Sequence, residues 1–217
     1  MHTILSDGEL LASELARRAE HLDHALIAIT DHVDKSNLDV ALPGLIGAVR
    51  DINTYSDIKV LAGVELTHIP PRTVDELARK CKYIGANVVV VHGETVAEPV
   101  KPGTNRAAVN SRYVDILAHP GEISVADASA ARDNGVYLEI TAKPGHGRTN
   151  PHVASVCQKV EAPMLVNTDL HSPDDFISQR DAYELALQSG LSRELALETI
   201  RDNPRRILAR SKLHFRI

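Results

Sequence analysis

Short apolar runs recur along the chain, and each leads to an acidic or imidazole side chain. Residues 164–166 lead to Asp169 and His171, which stand two positions apart, so both side chains leave the same face if the backbone is extended. The same pattern follows residues 25–29, 59–62, 88–91, 116–118 and 136–138, whose polar ends are Asp31 with His32, Glu65, His92, His119 and Glu139. Six strands with ligand-type residues at their C-terminal ends are therefore predicted.

Helical patterns lie between these runs, because apolar residues there recur at intervals of three and four. Pro43 is expected to interrupt the second helix, and Thr73 with Glu76 has the spacing of a capping box. The helices are predicted at residues 9–21, 38–53, 74–83, 105–111, 124–134 and 151–160. Two more are predicted at residues 173–189 and 192–207, the second broken at Pro204.

The regular alternation of strand and helix predicts an α/β fold with parallel strands. A β/α barrel gathers polar residues at the C-terminal ends of many strands, whereas an open doubly wound sheet binds its ligand at one switch point. Six polar strand ends favour the barrel. The length suits one barrel domain over residues 1–217, with the C-terminal helices at residues 173–210 packed on it to cover the seam between its first and last strands.

Composition narrows the class of protein. Hydrophobic residues make up 43% of the chain, and no apolar run approaches the roughly 18 residues of a membrane span. No secretory signal pattern opens the sequence, and Cys81 and Cys157 lack metal or redox spacing, so a cytoplasmic protein is expected. The net charge of −5 argues against broad electrostatic contact with nucleic acid, so nucleic acid is not expected as a partner, although a local basic rim could still hold a phosphate. A solvated helix end, rather than a basic face for nucleic acid, is expected for Arg201, Arg205, Arg206 and Arg210.

Histidine is unusually common, with eleven copies. A single histidine is more often structural than a ligand, and that interpretation is kept for His21, His24, His68, His152 and His214. The strand-end histidines differ, because converging strands would bring them together with Glu65 and Asp169. Imidazole and carboxylate are the ligands of Zn, Mn and Fe, so a metal site is predicted.

The polar strand ends also resemble, in order, the motifs of the PHP superfamily, named for polymerase and histidinol phosphatase. The matching segments are His2-Thr3 with Ser6-Asp7-Gly8, Thr30-Asp31-His32, Gly63-Val64-Glu65, Val91-His92-Gly93, Ala118-His119-Pro120-Gly121 and Thr168-Asp169-Leu170-His171. The resemblance covers nearly the whole chain and implies a distorted (β/α)7 TIM-like barrel. It also implies two or three divalent metal ions, Zn, Mn or Fe, at a centre that hydrolyses phosphoesters.

The resemblance assigns roles residue by residue. Glu65 would lie beside the attacking water, His171 would supply a proton to the leaving group, and Asp31 would orient a ligand. The implied metal-binding groups are Glu65 with His2 and Asp169, Glu65 with His92 and His119, and His32 with His171 and the nearby Asp7.

The chain departs from the resemblance at its beginning. The family opens with a strand that ends in His-x-His, whereas here Met1 occupies the middle position and His2 is the second histidine. The first strand and one ligand are therefore expected to be missing. Two explanations stay open. The favoured one is a start at an internal methionine of a longer product, since loss of a barrel strand exposes two edges, and the other is a six-strand protein.

Three functions are compatible with these observations. The favoured one is hydrolysis of a small phosphomonoester similar to histidinol phosphate, with Lys143 and Arg148, on the loop after Glu139, as contacts to the phosphate. The alternatives are a phosphodiesterase or exonuclease that acts on nucleotides or nucleic acid, and a non-catalytic PHP-like subunit. The loops identify neither the leaving group nor the oligomeric state.

Overall fold

A computed structural model describes residues 1–211 of the chain. Its six strands are parallel, and each pairs with the next in sequence order. They are β1 (Leu26–Val33), β2 (Lys59–Leu66), β3 (Val88–His92), β4 (Ile116–Ala118), β5 (Tyr137–Thr141) and β6 (Met164–Asn167). The predicted α/β class is confirmed as a TIM-like half-barrel, whereas the seven-strand count and the missing first strand are not confirmed.

Helices follow most of the strands. The α-helices are α1 (Ala12–His21), α2 (Leu38–Tyr55), α3 (Val74–Ile84), α4 (Thr104–Val109), α5 (Val125–Asn134), α6 (Asn150–Val160), α7 (Gln179–Gln188), α8 (Arg193–Leu197) and α9 (Asn203–Arg210). Single turns of 3₁₀-helix lie at Pro71–Thr73, His146–Thr149 and Pro173–Asp175, and a π-helical turn, Glu198–Asp202, joins α8 to α9. No helix within residues 1–211 is long and apolar enough to cross a membrane. His214, expected to be structural, lies outside the described residues.

Alternating side chains on the strands form two apolar layers. Val89, Val91 and Leu138 point outward and are fully buried in a cluster with residues of the helices. Leu61 and Leu165 belong to a separate cluster inside the half-barrel. Each fully buried Val or Leu contributes about 1.5–3 kcal/mol to stability, so these layers hold the strand ends in fixed positions.

The N-terminal residues join the two edge strands, β1 and β6, at one end of the half-barrel. The Thr30 N–H donates to the Met1 carbonyl (2.8 Å), and the His2 N–H donates to the carbonyl of Leu170, just after β6 (2.8 Å). This bridge lies at the end of the half-barrel where the strands end in polar residues, and we call this end the mouth. Below it, a cavity of about 430 Å³ inside the half-barrel reaches both edge strands and is lined by apolar side chains such as Leu61.

The C-terminal helices pack on β6 and on the base of the half-barrel. Ile207 and Leu208 of α9 join the interior cluster. Asn203 is buried, and its Nδ2 donates to the Met164 carbonyl (2.9 Å), which fixes the start of α9 against β6. Three arginines of this segment form ion pairs: Arg201 with Asp202, Arg206 with Glu198, and Arg210 with Asp115, which precedes β4.

Local predictions fail at three places. Pro43 lies inside α2 without interrupting it. Its missing N–H removes only one helical hydrogen bond, and the burial of residues such as Leu45 on the core compensates for that loss. Thr73 forms no capping box, because its hydroxyl donates to the Pro70 carbonyl (2.8 Å). Pro204 does not break the last helix, since it lies in the first turn of α9, where no N–H partner is needed.

Candidate metal centre

The polar strand ends meet at the mouth. Among the described residues, four groups of candidate ligand atoms lie there, and the atoms of each group lie within 4.8 Å of one another. Three of these groups contain the ligands predicted from the sequence. We name them the Asp169 cluster (His2, Glu65 and Asp169), the His119 cluster (Glu65, His92 and His119) and the His32 cluster (His2, Asp7, His32 and His171). Every metal ligand predicted from the sequence lies in one of them, and its binding to an ion stays a prediction.

Glu65 lies between the Asp169 and His119 clusters. It stands near the end of β2, opposite His32 of β1, and is 3% exposed. Its Oε2 is 3.5 Å from His2 Nε2, and its Oε1 is 3.7 Å from His119 Nε2. Two ligands that each bind one ion at about 2.1 Å stand roughly 3–3.5 Å apart, so these spacings are closer to those of metal ligands than to a hydrogen bond.

Three buried atoms in these clusters support that interpretation. His2 Nδ1, Glu65 Oε1 and His119 Nε2 have no hydrogen-bond partner among the described residues. A buried polar atom without a partner costs about 1–3 kcal/mol. An ion in the His119 cluster would contact both Glu65 Oε1 and His119 Nε2. The donor set therefore fits a divalent transition metal.

Burial changes the protonation of these groups. It raises the pKa of Glu65 to about 8, although the charge of His119 opposes the shift. It also lowers the pKa of His119, but the hydrogen bond to Glu139 and the negative charges of Glu139, Glu65 and Asp169 together outweigh this and raise that pKa to about 9. Burial raises the pKa of Asp169, but the hydrogen bond from His2 and the charges of the His2, His119 and His171 rings together hold it well below its usual range. Ion binding would convert Glu65 and His119 to their deprotonated ligand forms.

Glu139, which sequence analysis left without a role, orients His119. Its Oε2 accepts hydrogen bonds from the His119 backbone N–H (2.6 Å) and from Nδ1 of the ring (3.0 Å). Metal-binding histidines commonly donate their second nitrogen to a carboxylate in this way, which leaves Nε2 for the ion. Glu139 lies inside β5, two residues from the inward-facing Tyr137, so strand alternation is the signal that identifies its face.

The His32 cluster lies at the outer side of the mouth. Asp7 Oδ1 is 3.6 Å from His32 Nε2 and 3.4 Å from His171 Nε2. The Thr67 hydroxyl contacts Nδ1 of His32, so Nε2 of that ring is directed toward Asp7. The His2 ring stacks on both other imidazoles, with centroids 4.1 Å from His32 and 4.4 Å from His171. This cluster is therefore continuous with the deeper ones through His2.

Asp31 supports the N-terminal loop that carries two of the predicted ligands. It is buried, and its oxygens accept hydrogen bonds from the Thr3 N–H (2.6 Å), the Thr3 hydroxyl (2.9 Å) and the Ser6 hydroxyl (2.8 Å). These bonds hold the segment between His2 and Asp7. A direct role of Asp31 in catalysis stays a prediction.

Asp169 and His171 reach the mouth through a bend. The predicted extended backbone is wrong here, because β6 ends at Asn167 and Asp169 adopts a left-handed conformation with φ of +48°. The bend turns the chain toward the N-terminal residues. Asp169 Oδ1 consequently lies 3.0 Å from His2 Nε2, and His171 Nδ1 lies 2.8 Å from the Asp169 carbonyl oxygen.

The two predicted phosphate contacts, Lys143 and Arg148, differ in their surroundings on the loop after β5. Lys143 is partly buried, and its Nζ lies 3.1 Å from the Asp175 carboxylate and 3.3 Å from His171 Nδ1. Arg148 is exposed on the 3₁₀ turn that follows. Lys143 thus neutralises Asp175 beside the His32 cluster. Phosphate binding by either residue stays a prediction.

A further group of polar side chains at the mouth was not predicted as a group. His92 was assigned to the metal site, His68 was interpreted as structural, and Glu98 was given no role. His68, His92 and His146 surround the carboxylate of Glu98, on the loop between β3 and α4. His68, His92 and Glu98 line a cleft of about 380 Å³ together with His32 and other residues of the mouth. Neither periodicity nor motif identifies Glu98 and His68, because both lie on loops.

Known proteins resemble the chain over nearly its full length. It is 44% identical over 210 residues to the uncharacterized protein MJ1295 of Methanocaldococcus jannaschii, and the alignment covers 96% of each protein. It is 27% identical over 221 residues to ribonuclease P protein component 3 of Methanosarcina mazei, which covers 95% of this chain and 86% of that protein. No protein-family model matches the chain.

Solved structures share its fold. A chain in the cryo-EM structure of archaeal ribonuclease P with mature tRNA superposes with a TM-score of 0.72 at 17% identity, covering 96% of this chain and 95% of that one. A putative histidinol phosphatase from Listeria monocytogenes gives a TM-score of 0.60 at 13% identity, covering 81% and 95%. These similarities support the PHP-type fold that the motifs indicated, but not a histidinol-phosphatase-like specificity.

The predicted substrate and partner are wrong. Sequence reasoning favoured a small phosphomonoester and argued against nucleic acid, whereas the named relatives are ribonuclease P protein component 3 and the fold matches a chain of ribonuclease P with tRNA. The error has a physical cause, because net charge describes the whole molecule while nucleic acid contacts a local surface. With 44% identity over 96% of both proteins, the chain belongs to the same family as MJ1295 of Methanocaldococcus jannaschii.

Proposed function

We propose that this protein is a nucleic-acid-processing subunit whose partners are RNA and other proteins. The main support for this proposal is the alignment with ribonuclease P protein component 3 over 95% of the chain. The fit to a chain of tRNA-bound ribonuclease P, at a TM-score of 0.72, supports it. The cytoplasmic location expected from the sequence stays a prediction.

The mouth is the surface best suited to an RNA backbone. Its cleft of about 380 Å³ is lined by the imidazoles of His32, His68 and His92. Lys143 and Arg148 lie on the adjoining loop after β5. Lys143 is paired with Asp175, whereas the exposed charge of Arg148 favours phosphate. The arginines near the C-terminus are less suited to bind RNA, because Arg201, Arg206 and Arg210 already form ion pairs with carboxylates.

Fluorescence anisotropy with a labelled precursor tRNA, at low and at moderate salt, tests RNA binding. The wild-type protein should bind, and its affinity should fall with salt, because phosphate contacts release counterions. Arg148→Glu should weaken binding about 10-fold, whereas Arg193→Glu, at an exposed position of α8, should not. Absence of salt-dependent RNA binding by the wild type would contradict the proposal, and equal binding by Arg148→Glu would exclude the mouth.

The mouth also suits two or three divalent metals, Zn, Mn or Fe. Glu65 would link the ions of the Asp169 and His119 clusters, and the His32 cluster would hold a third. Bound metals of this kind neutralise phosphate oxygens and lower the pKa of a bound water. Glu139 would keep His119 oriented through the hydrogen bond to Nδ1, and Asp31 would keep the N-terminal loop in place.

A second function, metal-dependent cleavage of phosphodiester bonds in nucleic acid, is favoured by the unpartnered buried atoms of Glu65 and His119. Labelled RNA oligonucleotides incubated with Mn²⁺-loaded or Zn²⁺-loaded protein test it. The wild type should cleave, and Glu65→Gln should not. An inactive, fully loaded wild type would refute this second function and leave the RNA-binding role intact.

A further inference from the structure

Glu98 lies at the outer rim of the mouth, and its carboxylate faces histidines from three different segments. Its Oε2 is 3.2 Å from His68 Nε2 and 3.2 Å from His92 Nε2. Its Oε1 is 3.5 Å from His146 Nε2. We call these four residues the Glu98 cluster. One carboxylate is thus surrounded by the same nitrogen of three imidazoles.

Two of these histidines are held by their other ring nitrogen. His92 Nδ1 lies 3.2 Å from the Gly93 carbonyl oxygen, to which it donates. His146 Nδ1 lies 2.6 Å from the Thr95 hydroxyl. A hydrogen bond at one nitrogen orients the ring and directs the lone pair of the other nitrogen at a ligand, as in metal-binding histidines. Both rings therefore present Nε2 to the space beside Glu98.

The backbone brings the third histidine to the same place. His68 has a φ of +52°, in the left-handed region that non-glycine residues rarely adopt. His68 lies two residues after the end of β2, and this conformation sets its ring 5.2 Å from the His92 ring. The side chains of His68 and Glu98 are 45% and 40% exposed, so their ion pair alone adds little stability. A bound cation would gain more from this arrangement than the pair does.

We propose that His68, His92 and Glu98 bind a divalent transition metal at the rim of the mouth, with His146 as an additional donor. The ligand atoms of the first three lie within 4.8 Å of one another. Imidazole and carboxylate donors suit Zn²⁺, Co²⁺ or Mn²⁺. The half-exposed side leaves room for water or a phosphate oxygen to complete the coordination.

The rim site shares one ligand with the deeper centre. Nδ1 of His92 is engaged by Gly93, so only Nε2 is free to bind an ion. An ion in the Glu98 cluster therefore competes for His92 with an ion in the His119 cluster. An ion at the rim would also connect the loop of residues 93–103 with the residues after β2 and with the loop after β5. This connection would narrow access to the cleft.

Calorimetric titration of metal-stripped, full-length protein with Zn²⁺ tests the rim site. Glu98→Gln and His68→Ala should each remove about one binding equivalent or weaken one binding step about 10-fold or more. Glu122→Gln and His21→Ala are matched controls at exposed positions outside the mouth, and they should leave the isotherm unchanged. Circular dichroism of each variant verifies its fold.

A double variant separates the rim from the deeper centre. His119→Ala disrupts the His119 cluster, so an ion that this variant still binds and that is lost in His119→Ala with Glu98→Gln belongs to the rim. Isotherms of Glu98→Gln and His68→Ala that superimpose on the wild type would overturn the proposal. A loss in Glu98→Gln without one in His68→Ala would also overturn it. The assay contains no RNA, so its failure is distinct from failure of the RNA-binding role.

Discussion

Asp31 offers a quantitative test of how the N-terminal loop is held. It is 1% exposed, and it accepts hydrogen bonds from the Thr3 N–H, the Thr3 hydroxyl and the Ser6 hydroxyl. Asp31→Ala leaves the buried N–H and hydroxyl of Thr3 without an acceptor. At about 1–3 kcal/mol for each such group, the free energy of unfolding should fall by about 2–6 kcal/mol.

Asp31→Asn should cost less, because its remaining carbonyl oxygen can take the place of Oδ1, which accepts from the Thr3 N–H and the Ser6 hydroxyl. For a chain of this size, each kcal/mol lowers the melting temperature by about 2–4 °C. A loss of about 3 kcal/mol in Asp31→Ala therefore predicts a fall of about 6–12 °C, with Asp31→Asn between that variant and the wild type.

Thermal unfolding followed by circular dichroism in EDTA measures these differences without a contribution from metal. Asp39→Ala is the matched control, because Asp39 is exposed and its partner Lys80 is exposed too, so their surface ion pair contributes little to stability. The reasoning is refuted if Asp31→Ala melts at the same temperature as Asp39→Ala. A large destabilisation with unchanged Zn²⁺ binding would show that the loop, and with it His2 and Asp7, is not positioned by Asp31.

Glu65→Gln should stabilise the metal-free protein and should reduce, but not abolish, its stabilisation by Zn²⁺, because the His32 and Glu98 clusters do not include Glu65. Burial raises the pKa of Glu65 above its unfolded value, so the free energy of unfolding of the wild type should fall between about pH 5 and about pH 8. The variant has no titrating group at this position and should lose less stability over the same range. Equal losses of stability in EDTA would contradict this prediction. Burial also raises the pKa of Cys81 and Cys157 to about 12, so neither thiol should react with Ellman's reagent at neutral pH until the protein unfolds, and fast labelling of the native state would contradict it. Asn203→Ala should lower the free energy of unfolding by about 1–3 kcal/mol in urea, and an unchanged midpoint would mean that its bond to the Met164 carbonyl does not anchor α9.

The strand ends were predictable from sequence because burial imposes a local pattern. The apolar run of β4, Ile116–Ala118, has the predicted bounds, and the other strands begin and end within a few residues of prediction. Glu65 and His119 stand at the ends of such runs, so parallel strands bring them together. The same pattern placed Glu139 at a strand end, although it lies inside β5, because Ile140 and Thr141 continue the strand.

Loop residues could not be placed in this way. Glu98 meets His68 and His146 only because three loops fold over the mouth, and His68 does so with a left-handed backbone. Asp169 illustrates the same limit, since its position depends on a bend that directs it to His2. Substrate class depends on such loops and on partner surfaces, which is why the motifs indicated a metal centre but led to the wrong substrate.

The buried ligands themselves argue for ion binding in this chain. His2, Glu65 and His119 each hold an unpartnered atom in the interior, and burial shifts the pKa of Glu65 away from its ligand form. Replacing buried charged groups with apolar residues of similar size is often neutral or stabilising. A protein that used the half-barrel only as a scaffold would therefore be at least as stable without them. Ion binding would offset their cost, and a mouth that held cations would also attract the phosphates of RNA.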